Sequence, residues 1–304
     1  MYDIIVIGAG ASGLNSALYA LRSGKSVLII EENAVGGQIA NSPNVENFPT
    51  IKQISGSEFA DKFLEQVEAW GGELEYDKVV EVEKQEGIFK VTTEYGYFES
   101  KAVIAAVGVK HKHINVSGER EFLGKGVYYC ALCDGPFYKD KEVALIGDGN
   151  TAMQYAVALS NICSKVYLLT WTDKFFGDKV LEKVVLGREN ILHMPNTEVQ
   201  SFVGDKTLSG VVYRDKESGE IRTLHLTGVF VAIGQEPKNE IYAHLADLNA
   251  QGFFVADEAM RTKTEGFFVA GDCREKKIRQ LATAISDGAI AAVSACEYID
   301  KLGE

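Results

Sequence analysis

The chain has 304 residues, of which 46% are hydrophobic and 24% are charged, and its formal net charge at pH 7 is −12. This composition is typical of a soluble globular protein with room for two domains. The negative charge disfavours nucleic acid and anionic lipid as partners, and no apolar run approaches the roughly 20 residues that span a bilayer. We therefore expect neither nucleic-acid binding nor a membrane span.

The N-terminal region predicts a βαβ unit. An apolar strand covers Tyr2–Ile7, an Ala/Leu-rich helix runs from Ser12 to Ser23, and a second strand covers Ser26–Ile30. Because the first strand begins at the second residue, there is no room for a basic and apolar signal segment before it. We therefore expect a cytoplasmic protein.

The turn of this unit has the glycine pattern of dinucleotide-binding folds. It reads GAGASG, with Gly8, Gly10, Ala11 and Gly13, and Glu31 lies at the end of the second strand. Glycines let the backbone approach a pyrophosphate at the helix N-terminus, and the carboxylate can accept hydrogen bonds from a ribose diol. The pattern predicts that FAD or NAD binds here, and a tight turn without a ligand is the alternative.

The sequence CALCDG contains the closest pair among the five cysteines, Cys130 and Cys133. At this spacing two cysteines can close a disulfide, and a helix N-terminus lowers the thiolate pKa so that the pair exchanges readily. A zinc site completed by His111 and His113 is the alternative, but histidines one residue apart match zinc-ligand spacing poorly. Asp134 is a candidate proton donor and acceptor for the dithiol, or else a turn residue.

A second βαβ unit follows the cysteine pair. It has a strand at Val143–Ile146, a glycine turn at Gly147–Gly149, a helix that ends near Asn161 and a strand at Lys165–Leu169. Between the two units, alternating short runs predict three further strands, at Val79–Glu83, Phe89–Thr93 and Phe98–Ala106. The repeat of the βαβ pattern indicates two parallel-sheet domains.

The C-terminal end of the chain returns to the first unit. Residues 266–272 predict a short buried strand that ends in Gly-Asp, and residues 280–298 predict an Ala-rich helix. We therefore predict an α/β fold with two Rossmann-like three-layer nucleotide-binding domains. The first domain is expected to be discontinuous, at 1–114 and 248–304, with the second, which carries the cysteine pair, inserted at 115–247.

Five stretches, in the same order, resemble the low-molecular-weight thioredoxin reductases over nearly the whole chain. Tyr129–Gly135 resembles the redox motif of that family. The other four resemble its flavin loop, its Ala-Thr-Gly link, its strand-to-hinge signal and its C-terminal flavin motif, and they are Gly36–Gln38 with Asn44–Pro49, Ala106–Gly108, Val231–Gly234 with Pro237, and Gly271–Asp272 with Arg279–Gln280.

The resemblance implies an FAD-dependent disulfide oxidoreductase that reduces thioredoxin or a similar protein disulfide. Cys133 would face the flavin and Cys130 would attack the partner's disulfide. A rotation of one domain against the other and a homodimer are also implied. The implied FAD residues are Gly8, Gly10, Ala11, Gly13 and Glu31 for the ADP part, Gly37, Gln38 and Asn47 in the flavin loop, and Gly271, Asp272, Arg279 and Gln280 for the ribityl chain and flavin edge.

The second nucleotide domain departs from the family. Asp148 puts a carboxylate in its glycine turn, and Thr170–Phe176 replaces the arginines that grip the 2′-phosphate of NADPH, here called the arginine clamp. Thr170 is also not the acid that an NADH enzyme carries at this strand end. The sequence therefore fits neither nicotinamide cofactor well. It resembles family members that lack the clamp and take electrons from reduced ferredoxin.

Two alternative functions stay open, a flavin-dependent dithiol oxidase of the same fold and an ordinary NADPH-dependent thioredoxin reductase. A flavin sensor is disfavoured because sensing needs no exchange dithiol. Cys163 and Cys296 are expected on apolar helix faces in the core, Cys273 is a weak candidate for a third redox thiol, and Trp171 is either a surface aromatic or a block of the nucleotide site. A basic patch is a candidate ferredoxin-docking surface. It comprises Arg261, Lys263, Arg274, Lys276 and Lys277.

Overall fold

The structure is a computed structural model that describes residues 1–42 and 44–303. The chain divides into two compact units. Unit 1 comprises Met1–Lys110 and Glu236–Glu304, and unit 2 comprises His111–Gln235. Unit 1 is therefore discontinuous, with unit 2 inserted into it.

The described residues form six α-helices and seventeen strands. The helices are α1 (Ala11–Arg22), α2 (Gly56–Glu68), α3 (Ala131–Asp134), α4 (Asn150–Ser160), α5 (Lys179–Leu186) and α6 (Leu281–Leu302). The strands are β1 (Tyr2–Ile7), β2 (Val27–Glu31), β3 (Glu73–Tyr76), β4 (Val79–Gln85), β5 (Ile88–Thr93), β6 (Tyr97–Ala105), β7 (Lys110–His111), β8 (Val127–Tyr128), β9 (Glu142–Ile146), β10 (Lys165–Leu169), β11 (Ile191–Met194), β12 (Thr197–Gly204), β13 (Leu208–Asp215), β14 (Ile221–His225), β15 (Val229–Val231), β16 (Gln235–Glu236) and β17 (Phe267–Val269).

Unit 1 has a seven-stranded sheet in the order β3-β2-β1-β6-β5-β4, with β17 also paired to β6. β1 is parallel to β2 and β6, and β17 is parallel to β6, whereas β4, β5 and β6 are antiparallel. Ile7 is in register with both Ile30 and Ala105, so the carboxyl ends of three strands meet at one edge. In open α/β sheets this edge is where ligands bind.

The central strands of unit 1 are buried on both faces. Ile4 and Val6 pack with α1 and α6 on one face, while Ile5 and Ile7 pack with Phe254 and other apolar residues on the opposite face. Successive side chains of a strand point to opposite faces, which explains the continuous apolar run in β1. The sheet therefore lies between two apolar layers.

Unit 2 has three layers. Its parallel sheet has the order β11-β10-β9-β15-β8, and a separate antiparallel sheet has the order β12-β13-β14. Val143 and Leu145 of β9 pack with the helical layer, whereas Ala144 and Ile146 pack with residues of the antiparallel sheet such as Phe202. The α/β fold with two Rossmann-like nucleotide-binding folds is confirmed.

The return to unit 1 comes earlier in the chain than the sequence indicates. Unit 1 resumes at Glu236, before the predicted boundary at 247, because Tyr242 and Leu245 are buried with Phe254 in the core of unit 1. Polar residues between these apolar ones made the segment resemble a linker. The first change of unit comes after Lys110, a few residues before the predicted boundary at 114.

The final helix, α6, extends to Leu302, past the predicted end at Tyr298. Charged residues such as Asp287 and Asp300 interrupt the apolar sequence of this continuous helix. Within the described part of the chain, no helix combines the length and apolar character that a bilayer crossing requires.

Candidate active site and cofactor sites

The glycine turn after β1 is packed too closely for side chains. Gly8 has a φ of +104°, and a Cβ placed on it would lie 2.6 Å from the carbonyl oxygen of Ala106. A Cβ on Gly13 would lie 1.8 Å from the carbonyl oxygen of Gly8. Glycine is therefore required at both positions for α1 to approach β1 and β6.

The N-terminus of α1 is open. Gly10 is the N-cap with an extended backbone, no side chain of the described residues caps the helix, and the first turn, which begins at Ala11, contains no acidic residue. A Cβ built on Gly10 would have no atom of the described residues within 4 Å. The unpaired N–H groups and the helix dipole thus favour an anionic group such as a pyrophosphate in this space.

Glu31 lies beside this turn, as the sequence predicts. One carboxylate oxygen accepts a hydrogen bond from the backbone N–H of Ala9 at 2.7 Å, and the other accepts one from Asn33 at 2.9 Å. A carboxylate has about four acceptor positions, so two backbone donors leave capacity for a ribose diol.

The predicted flavin loop contacts residues from both sequence segments of unit 1. Gln38 lies in a 3-10 helix, Gly37–Asn41, and its side-chain amide donates to the carbonyl oxygen of Val109 at 2.9 Å. The amide of Asn47 donates to the side-chain oxygen of Gln280 at 3.3 Å. The structure thus brings together two predicted flavin residues that are far apart in the sequence.

Asp272 has an unsatisfied buried oxygen. It lies in the 3-10 helix Gly271–Cys273, directly after β17, and its Oδ1 atom is buried with no hydrogen-bond partner among the described residues. Burial raises the pKa of Asp272, and the charges of Lys276 and Arg279 act in the opposite direction. Buried polar atoms are almost always paired, so this oxygen indicates a donor supplied by a ligand.

Arg279 is held beside the same segment. Its guanidinium lies 4.1 Å from the centre of the Phe253 ring and donates to the carbonyl oxygen of Asp272 at 3.2 Å. Gln280, the next residue, is the N-cap of α6 and forms a capping box with Thr283. The start of α6 is therefore fixed next to Asp272.

Cys130 and Cys133 form a disulfide at the start of α3. Their Cα atoms are 5.3 Å apart, and the N–H of Cys133 points at the sulfur of Cys130, the N-cap, at 3.1 Å. His111 and His113, the ligands of the zinc alternative, instead contact the ring of Tyr129, with centroids 4.8 and 5.4 Å apart. The arrangement favours the redox hypothesis over the zinc site.

Asp134 is the last residue of α3 and is buried. Its Oδ1 atom has no hydrogen-bond partner among the described residues, and desolvation raises the pKa of Asp134 to about 7. A carboxyl group with a pKa near neutrality can both donate and accept a proton under physiological conditions. The hypothesis of a proton-transfer role is thus chemically supported.

The glycine turn of unit 2 pairs with the segment that follows β10. The backbone N–H of Phe176 donates to the carbonyl oxygen of Asp148 at 2.8 Å, and Phe176 forms a β-bridge with Gly149, the N-cap of α4. At the end of β10, the Thr170 hydroxyl donates to the carbonyl oxygen of Thr172 at 2.7 Å. The segment that replaces the arginine clamp therefore folds back along the turn.

Lys216 contacts this segment, and the sequence did not predict that contact. Its ammonium lies 4.2 Å from the centre of the Trp171 ring and donates to the Trp171 carbonyl oxygen at 3.0 Å. No local pattern signals this contact, because the two residues are 45 positions apart. Trp171 is 55% exposed, which favours the surface-aromatic interpretation.

Comparison with known proteins identifies the family. The sequence profile of the pyridine nucleotide-disulphide oxidoreductases matches residues 2–288. The thioredoxin reductase of Treponema pallidum is 39% identical, over 99% of this chain and 98% of the relative. The chain belongs to the low-molecular-weight thioredoxin reductase family.

Two further relatives agree with this assignment. The thioredoxin reductase of Bacillus subtilis is 37% identical over 100% of this chain and 96% of its own. The crystal structure of thioredoxin reductase from Streptococcus pyogenes MGAS5005 superposes with a TM-score of 0.95 at 34% identity, covering 99% of each chain. A low-molecular-weight thioredoxin reductase is a flavoprotein disulfide oxidoreductase that binds FAD. Unit 1 fits that cofactor, because it has an open helix N-terminus at Gly10 and a buried Asp272 oxygen that accepts no hydrogen bond from the described residues.

The other three cysteines of this thioredoxin reductase family member are buried thiols. Cys296 lies on the buried face of α6, in the core of unit 1, as expected. Cys163 is also in a core, but it lies in the turn after α4, so its predicted place on a helix face is wrong. Cys273 is fully buried, and burial raises its pKa to about 12, which disfavours the thiolate form that disulfide exchange needs.

Gly10→Ala and Gly13→Ala should separate ligand binding from folding. The methyl group of Gly10→Ala can be accommodated in the apoprotein but occupies the space expected for the pyrophosphate. We therefore expect the apoprotein to unfold at the wild-type temperature and to bind FAD at least ~10-fold more weakly. Gly13→Ala forces α1 away from Gly8 and should destabilise unit 1 by about 1–3 kcal/mol. Flavin content and apoprotein melting curves measure both. Equal effects of the two variants on apoprotein stability would contradict this interpretation.

Asp134→Asn should abolish a pH dependence of disulfide reduction. The carboxyl group is protonated below its pKa of about 7, so the wild-type rate of electron transfer from reduced flavin to the disulfide should fall as pH rises through that value. The amide cannot donate an acidic proton, so the variant should be pH-independent and ~100-fold slower. Single-turnover flavin reoxidation measures the rate. Asp140→Asn, which removes an exposed carboxylate nearby, is the control, and a persistent inflection in Asp134→Asn would exclude the role.

Proposed function

We propose that this chain is an FAD-dependent thioredoxin-disulfide reductase whose flavin takes electrons from a donor other than NADPH, with reduced ferredoxin as the first candidate. In this proposal unit 1 is the FAD-binding domain and unit 2 is the pyridine-nucleotide-like domain. When bound, FAD supplies a centre that accepts electrons from the donor and delivers a pair of them to the disulfide. The observation that carries the donor hypothesis is the loss of the arginine clamp after β10.

The acceptor side of the proposal rests on the cysteine pair. After reduction, the thiolate of Cys130 attacks a sulfur of the partner's disulfide, a mixed disulfide forms, and the partner's second sulfur leaves as a thiolate. Cys133 then attacks Cys130, which restores the Cys130–Cys133 disulfide and releases the partner as a dithiol. Asp134 would supply and take up the proton that these steps exchange. The relatives named thioredoxin reductase, which match the chain over nearly its full length, support thioredoxin as the partner.

The donor side rests on charge at the end of β10. A 2′-phosphate needs paired guanidinium donors, and losing them costs several kcal/mol, which weakens binding by orders of magnitude. Thr170 is buried with its hydroxyl already bonded, and the ammonium of Lys216 lies on Trp171. Lys174 is exposed and is a single point charge, which does not replace a bidentate clamp.

The pyrophosphate position in unit 2 is also unfavourable. The main chain of Phe176 is paired with the turn at Asp148 and Gly149, next to the N-terminus of α4, where a pyrophosphate would lie. The carboxylate of Asp148 adds a negative charge to the same turn. Both features support a donor that does not use this site.

The positive charge of the basic patch suggested by the sequence is partly offset by carboxylates. Arg261 is 3.7 Å from Glu297, and Lys263 is 3.0 Å from Asp247. Arg274 and Lys276 are paired with Asp287, each at 2.8 Å. Three carboxylates therefore pair with four of the five cations, so the patch is less positive than the sequence suggests. The homodimer and the cytoplasmic location stay predictions from the sequence and the resemblance.

The donor hypothesis predicts selective flavin reduction. Under anaerobic conditions, millimolar NADPH or NADH should bleach the flavin absorbance slowly or not at all, whereas reduced ferredoxin should bleach it and then reduce the cysteine pair. Rapid bleaching by micromolar NADPH would return the protein to the ordinary NADPH-dependent reductases.

A double substitution tests the cause. Trp171→Arg with Thr172→Arg restores two guanidinium groups at the strand end and should tighten NADPH binding at least ~10-fold if the clamp alone is missing. The matched control, Trp171→Gln with Thr172→Gln, changes the same positions without adding charge and should leave NADPH binding as weak as in the wild type. An equal gain in both variants would show that removal of Trp171, and not the added charge, opens the site.

The order of attack predicts which cysteine variant can be trapped. We use a thioredoxin that lacks its resolving cysteine and carries its remaining cysteine as a mixed disulfide with thionitrobenzoate. The Cys130 thiolate of Cys133→Ser should displace thionitrobenzoate and accumulate a mixed disulfide with thioredoxin, because no thiol at position 133 can then release the partner. Cys130→Ser should accumulate little. Non-reducing electrophoresis and mass spectrometry identify the linked species. Efficient trapping through Cys133 alone would reverse the assigned roles.

A further inference from the structure

We propose that Lys276 is a positioning residue of the flavin site, which holds the Asp272 carboxylate in place as a hydrogen-bond acceptor for bound FAD. The inference rests on the proposed role of Asp272 in FAD binding, and it assigns a role to Lys276, which belongs to none of the sequence motifs described above. Lys276 lies in the segment between the 3-10 helix of Asp272 and the start of α6.

The ammonium group of Lys276 lies between two carboxylates. It is 2.8 Å from Oδ2 of Asp287 and 3.9 Å from Oδ1 of Asp272, and the Lys276 side chain is only 7% exposed. Among the described residues, Lys276 is the one cation within 4.0 Å of a carboxylate oxygen of Asp272. A buried charge at this distance from a second buried charge is weakly screened by solvent.

Asp287 fixes the position of the ammonium group. Its two oxygens accept hydrogen bonds from Nε and Nη2 of Arg274 at 2.9 and 2.8 Å, and its Oδ2 atom also accepts one from the backbone N–H of Gly271 at 3.2 Å. A bidentate arginine pair is geometrically specific, so Asp287 has little freedom to move. Lys276, bonded to Asp287, is therefore held where its charge acts on Asp272.

Asp272 needs a nearby positive charge to stay ionised. Burial and the negative charge of Asp287 raise the pKa of Asp272, and Lys276 is the first of the two cations that lower it, followed by Arg279. Arg279 directs its N–H groups at the carbonyl oxygens of Asp272 and Arg274. Removal of Lys276 would leave less positive charge near the carboxylates of Asp272 and Asp287. The pKa of Asp272 would then rise further, so Asp272 would take up a proton more readily.

Protonation would change what Asp272 offers to a ligand. An ionised carboxylate only accepts hydrogen bonds, as a ligand hydroxyl requires, whereas the acid form carries a donor of its own. With Lys276 in place, FAD affinity should change little over the neutral pH range. Without it, affinity should fall as pH is lowered, because the protonated fraction of Asp272 increases.

The test measures FAD binding to the apoprotein, which depends on neither the electron donor nor the cysteine pair. Lys276→Met should weaken binding ~10-fold near neutral pH and further at lower pH, by flavin fluorescence titration. Lys276→Arg should restore most of the affinity. Lys277→Met removes the exposed neighbouring charge and should bind FAD as the wild type does.

A double-mutant cycle separates this role from a structural one. If Lys276 acts through Asp272, Lys276→Met should cost no further affinity in an Asp272→Asn background. Lys276→Gln serves if Lys276→Met does not fold, because an amide can still donate to Asp287 but carries no charge. Apoprotein melting curves check folding in every variant.

Three results would overturn the proposal. They are wild-type FAD affinity in folded Lys276→Met, an undiminished effect of that substitution in the Asp272→Asn background, and an equal loss in Lys277→Met. Failure of the wild-type apoprotein to bind FAD would be a different failure, because it would overturn the proposed function itself.

Discussion

The packing of α6 on α1 is the contact on which the cofactor site depends. A Cβ built on Gly288 would lie 2.2 Å from the carbonyl oxygen of Ser12, so the two helices touch through their backbones. Ser16 donates to the carbonyl oxygen of Gly288 at 3.1 Å, and Asn15 donates to that of Ile285 at 2.7 Å. This close approach places the residues at the start of α6 beside the glycine turn after β1, although most of the chain lies between them.

Two buried carboxyl groups illustrate how environment assigns different chemistry to the same side chain. Desolvation raises the pKa of Asp134 to about 7, with no cation of the described residues opposing it, and this value suits proton transfer. Asp272 is also desolvated, but Lys276 and Arg279 oppose the shift of its pKa. The second arrangement suits a binding group that stays ionised. The difference lies in the cations packed around each carboxyl group.

In unit 2, the glycine turn has a packing role that is independent of any ligand. A Cβ on Gly147 would lie 2.4 Å from the carbonyl oxygen of Ala232, so packing between β9, α4 and β15 requires glycine there whatever the ligand. The 2′-phosphate clamp makes no such contribution to the core, and its positions are held by exposed residues such as Trp171 and Phe176. Packing thus constrains the glycine turn more strongly than the exposed residues at the end of β10.

Local patterns in the sequence determined the two βαβ units, the glycine turn with Glu31 and the redox pair, because strand alternation, helix periodicity and short spacings are properties of adjacent residues. Tertiary structure alone decided which distant side chains meet. Asn47 reaches Gln280 across 233 positions, and Lys216 reaches Trp171 across 45. Such pairs depend on how whole elements pack and on which charges become buried together, and these long-range contacts leave no periodic signal in a single sequence.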